Sequence, residues 1–169
     1  NALAKAGFVG LSLIRRSTKP LYGQLDDANA ALNFLNNIPS VDRDRIGVIG
    51  FSRGALLAWQ QATQRSDISA LVIMAAAVNR NLNLNEASKI SAPVLVLVAR
   101  NDTGSTRTRG RNTVSFTKKL VGTLEAAKKN VELIIYPAFA NDGHILFFEI
   151  RDLYWLDVLS FLKKNLENN

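Results

Sequence analysis

Residues 50–54 read Gly-Phe-Ser-Arg-Gly, one hydroxyl set two positions from a glycine on either side. Three β-branched residues, Ile46, Val48 and Ile49, lead into the segment, and a run of good helix formers follows it. A serine at a sharp strand-to-helix turn is held strained with its Oγ exposed. The residues two before and two after it must be small where backbone passes close by. The helix that starts near Arg53 points its positive end at the hydroxyl, and the Arg53 N–H is placed to donate to an oxyanion.

A serine nucleophile needs a base, and the chain has a single histidine, His144, in "YPAFANDGHILFF". The base needs an acid to fix its tautomer. Asp102 follows the apolar run "VLVLVA" and is the acid expected; Asp142 is its rival, but two residues from His144 a carboxylate rarely reaches the ring Nδ1. Phe51, Phe139, Leu146 and Phe147 are expected as walls of an acyl pocket or as core. No cysteine is present, which removes disulfides, thiolate metal sites and a thiol nucleophile. No metal and no organic cofactor is called for.

These groups must be carried by elements. The pattern alternates strand and helix: apolar runs at 7–14, 45–50, 68–77, 92–99 and 131–136, and helical periodicity at 25–39, 55–64, 116–129 and 150–166. A polar loop containing Pro20 follows the first run. Strands that are apolar throughout are buried on both faces, which predicts an α/β fold with a parallel sheet of about five strands and helices on both sides. The 169 residues suit one domain, 1–169. The Asn-rich segment 79–89 is a lid or a loop.

The formal charge of +7 favours anionic partners in general. Basic residues cluster at Arg100, Arg107, Arg109 and Arg111 without interleaved aromatics, so a nucleic-acid surface is not expected. No apolar stretch is long enough to span a bilayer. A small-molecule ester is the expected partner.

With the stretches "ALAKAGFVGLSL", "VDRDRIGVIGFSRGALLAW", "APVLVLVARND" and "YPAFANDGHILFFEIRDLYWLDVLSFLKK", the chain resembles an α/β-hydrolase of the dienelactone hydrolase and prolyl-oligopeptidase-like branch. The resemblance implies Ser52 as nucleophile, Asp102 as acid and His144 as base of an ester hydrolase that forms an acyl-enzyme. Dienelactone hydrolases proper use cysteine, so serine here implies a more general esterase. In that family, residues like "ALAKAGF" follow a first group of strands and an oxyanion loop. The resemblance therefore implies an incomplete N-terminus, an absent strand between residues 7–14 and 45–50, and a second oxyanion donor from outside this chain. Either a homodimer or a missing segment is expected to complete the sheet.

Overall fold

The computed structural model describes residues 2–14, 16 and 21–167. Among these, strands β1 (Gly47–Phe51), β2 (Ala70–Met74), β3 (Val94–Ala99) and β4 (Val131–Tyr136) form one parallel sheet in the order β1-β2-β3-β4. Gly50, Ile73, Val96 and Leu133 lie in one row across it. The helices are α1 (Ala2–Lys5), α2 (Gln24–Leu35), α3 (Arg53–Gln64), α4 (Thr113–Ala126) and α5 (Asp152–Leu166).

The alternation of side chains along each strand sorts them into two cores. Leu71 and Ile73 of β2 and Val94 and Val96 of β3 face α3 and α4, where Trp59, Leu56, Leu120 and Leu124 pack. Ala70, Val72 and Met74 of β2 and Leu95, Leu97 and Ala99 of β3 face α5. That helix buries Tyr154, Val158, Phe161, Leu162 and Leu166, a stripe at helical spacing. Both sheet faces are covered, as the apolar strands require, and the α/β expectation holds.

The sheet has four strands among the described residues, not about five. Residues 7–14, expected as a strand, are not one of the strands of the sheet. An apolar run becomes a strand only where a neighbour accepts its ladder bonds. The nearest edge, β1, stands across an apolar groove of about 420 Å³ lined in part by Leu11, Leu13, Val48 and Ile49. Phe8 is half-buried against the α5-side core, whereas Val9, Leu11, Leu13 and Ile14 are exposed. Most of the polar loop expected after residue 14 lies outside the described residues. The Asn-rich segment is a docked loop. Its 3-10 turn, Leu84–Lys89, packs on α3 and α4, Leu82 is buried, and Trp59 Nε1 donates to the Asn83 carbonyl at 3.2 Å.

Candidate active site

β1, β3 and β4 each deliver one chemical group at the carboxyl edge of the sheet. Ser52 sits between β1 and α3 with φ 52° and ψ −113°, a left-handed conformation that is costly for an L-residue. The end of β2 holds it there. The Ser52 N–H donates to the Met74 carbonyl at 2.9 Å, and its own carbonyl accepts from the Ala77 N–H at 3.1 Å. A Cβ at Gly50 would lie 2.4 Å from the Gly54 carbonyl oxygen and 2.6 Å from the Ala55 Cα, so glycine is obligatory there. The second glycine differs from expectation. A Cβ at Gly54 meets nothing within 4 Å, because that position opens onto the groove beside β1.

Asp102 follows β3. Its carbonyl accepts from the N–H groups of Thr113 and Val114, both at 3.1 Å, so the loop 103–112 starts and returns at this one residue. His144 lies in a 3-10 turn, Gly143–Phe147, beyond β4. The structure brings the three into one hydrogen-bonded chain. His144 Nδ1 is 2.8 Å from Asp102 Oδ2, and His144 Nε2 is 3.1 Å from Ser52 Oγ. Asp102 is fully buried and His144 is nearly so. A carboxylate shut away from water needs a donor; in the tautomer that carries its proton on Nδ1 the ring supplies one, and Nε2 then faces the serine as the acceptor. Asp102 Oδ1 has no hydrogen-bond partner among the described residues.

The Phe51 ring lies 4.9 Å from the imidazole centroid, with Phe148 5.5 Å from Phe51. A cavity of about 170 Å³ opens beside Ser52 and His144. Leu56, Ala77 and Val78 give it apolar lining; Arg53, Arg107, Arg109 and Arg111 give it basic lining, and no acidic side chain lines it among the described residues. Arg53 is the first residue of α3, and its N–H has no backbone acceptor among the described residues.

None of the four residues expected as wall or core is in the lining of this cavity; Phe51 packs on the imidazole, and all four lie in or against the α5-side core, the second of the two expectations. Leu146 and Phe147 are buried in the α5-side core, because the 3-10 turn points them under the site. Phe139 is half-buried beneath the Arg151 guanidinium, 5.0 Å from the ring centroid, away from the cavity. Sequence reasoning missed Leu56, Val78 and Phe148, whose helical or loop positions carry no chemical signature.

Asp142, the rival acid, serves the backbone instead of the ring. Its Oδ1 accepts from the His144 N–H at 3.0 Å, and its Oδ2 accepts from Arg107 Nη1 at 3.1 Å. Burial pushes the Asp142 carboxyl upward, but its hydrogen bonds, from the His144 N–H first and from Arg107, outweigh it. Its pKa therefore lies below the ordinary carboxylate value.

A parallel sheet with a serine elbow, acid and histidine at its carboxyl edge defines the α/β-hydrolase fold. A profile of the dienelactone hydrolase family matches residues 13–166, and the chain belongs to that family. No curated protein sequence matches it. Among solved structures it is similar to an esterase of Pyrococcus furiosus, with 21% identity and a TM-score of 0.67, over 89% of this chain and 64% of that one. It is also similar to the acylaminoacyl peptidase of Pyrococcus horikoshii, with 19% identity and a TM-score of 0.67, over 86% of this chain and 28% of that one. The chain thus spans less than two thirds of the length of either.

Proposed function

We propose that this chain hydrolyses short-chain carboxylic esters through an acyl-enzyme. The carrying observation is the Ser52–His144–Asp102 hydrogen-bonded chain on a strained elbow. Ser52 Oγ attacks the ester carbonyl carbon while His144 Nε2 takes the hydroxyl proton. Asp102 accepts from Nδ1–H and stabilises the imidazolium that forms. The Arg53 N–H, at the positive end of α3, donates to the oxyanion. His144 then gives its proton to the leaving alkoxide. Water, deprotonated by the same imidazole, attacks the acyl-enzyme and releases the acid and Ser52. A cavity of about 170 Å³ has room for a small acyl group.

A fluorophosphonate probe followed by peptide mass mapping tests the reading: Ser52 should carry the label. Ser52→Ala should lower turnover of p-nitrophenyl acetate by at least about a thousandfold. Residual turnover near wild type would overturn the mechanism. Absence of label on a folded chain would favour a hydrolase scaffold used for assembly, and faster cleavage of acyl-peptide amides than of esters would favour a peptidase.

The basic lining adds a preference within this reading. Arg53, Arg109 and Arg111 have no acidic partner among the described residues, so the cavity favours esters that carry a negative group. Replacing Arg107, Arg109 and Arg111 by Gln should reduce kcat/KM for a succinate monoester relative to its neutral diester, and more so at low salt. An unchanged ratio would show that the arginines are solvated bystanders.

A further inference from the structure

The side chain next to the acid grips the loop that carries the base. Asn101 Oδ1 accepts from the Phe139 N–H at 2.9 Å. Its Nδ2 donates to the Phe139 carbonyl at 3.2 Å and to the Ala140 carbonyl at 3.1 Å. One amide thus uses its acceptor and both donors on two adjacent residues of the loop between β4 and His144. The loop needs a hold, since Ala140 has φ 46°, which alanine adopts only at a cost. It also lies directly on the acid's backbone. A Cβ at Gly143 would be 2.6 Å from Asn101 Oδ1 and 2.7 Å from the Asp102 N.

We infer that Asn101 is a positioning residue for His144, an inference that rests on the triad reading above. Asn101 does not touch the imidazole. It fixes the loop that carries the imidazole to the residue adjoining the carboxylate, so acid and base are registered through one peptide unit. The chemistry is specific to the amide. Aspartate has the same shape and keeps the acceptor for the Phe139 N–H, but it sets a carboxylate oxygen against two carbonyls.

The test uses Asn101→Asp and Asn101→Ala in the full chain, with p-nitrophenyl acetate as substrate. Both variants should lower kcat by about 30- to 100-fold with KM within about twofold, because misplacement of a catalytic group by about 1 Å has that order of effect. His144 is the sole histidine, so the deshielded Nδ1–H proton signal of the His144–Asp102 bond is unambiguous by NMR. It should shift or vanish in both variants. Wild-type kcat in Asn101→Asp, or an unchanged Nδ1–H signal together with a lowered melting temperature, would overturn the inference and leave a merely structural residue. If neither variant folds, hydrogen exchange of the wild-type Phe139 amide decides. Protection like that of the β4 amides supports the grip, and rapid exchange refutes it. The NMR and exchange readouts do not depend on activity. Failure of Ser52 to take up the fluorophosphonate therefore counts against the esterase reading alone.

Discussion

Asp142 shows how a carboxylate two residues from a histidine acts through backbone rather than ring. It ties the His144 turn to Arg107 in the loop that follows the acid. Because its pKa is depressed in the folded chain, its contribution to stability is present above the unfolded value of about 3.8 and is lost as pH falls through the lower folded value. Asp142→Asn keeps an oxygen for the His144 N–H and loses the ionic contact. The variant should be about 1–2 kcal/mol less stable than wild type near neutrality, a figure discounted because Arg107 is half exposed. Urea unfolding from pH 7 to pH 3 should show this gap constant above about pH 5 and closing below about 3.8. A gap independent of pH would mean that the charge contributes nothing. Ser52, Asp102 and His144 were legible in the sequence because residue types are scarce there: one histidine, one Gly-x-Ser-x-Gly, and an aspartate just past a buried run. Asn101 and Phe148 were not legible. A side chain that grips backbone, or a ring that packs on another ring, has no signature until the fold supplies the neighbour.

The helices and strands that hold the site are set by ordinary capping and burial. α4 begins where the loop after the acid closes. Asn112 is its N-cap, with a side-chain oxygen accepting from the Ser115 N–H at 2.8 Å. Asn112→Ala should cost about 1 kcal/mol, measurable as a lower urea midpoint at unchanged slope. The cost should spread to catalysis only weakly, since the Asp102 carbonyl still accepts from the Thr113 and Val114 N–H groups. A loss of several kcal/mol would show that the whole loop 103–112 depends on that cap. The α/β alternation was legible because β2 and β3 are apolar on both faces, a pattern that only a doubly covered sheet satisfies. β4 matched its expected residues, 131–136. Residues 7–14 misled because apolar composition reports what a segment would bury and says nothing of whether a ladder partner lies beside it. The room around Gly54 was illegible for the same reason: a glycine in sequence does not say what passes close to it.

On the scale of the whole molecule, the open side of β1 is the surface through which we propose association. No strand among the described residues pairs with its outer edge, and the exposed Leu11 and Leu13 flank a groove lined by Val48 and Ile49. Unpaired edges beside apolar surface seek a second chain, so we expect a two-fold homodimer joined on this side. Each copy carries a formal charge of +7, so repulsion opposes association and salt weakens that repulsion. Light scattering at micromolar concentration should therefore show a mass near twice 18.6 kDa, with the dimer tightening as ionic strength rises. Gly54→Ala reports on the groove from inside. In an isolated chain the new Cβ meets nothing within 4 Å, and alanine is favoured over glycine in a helix by about 1 kcal/mol, so the variant should gain stability. With backbone of a second copy seated along β1, the same methyl group would intrude on it and weaken the dimer. We expect Gly54→Ala to shift the mass toward the monomer while raising the stability of that monomer. Leu11→Lys with Leu13→Lys should also give monomer, by placing charge on the apolar wall. A wild-type monomer at all salt concentrations, with Gly54→Ala simply more stable, would show that the four-stranded sheet is sufficient alone.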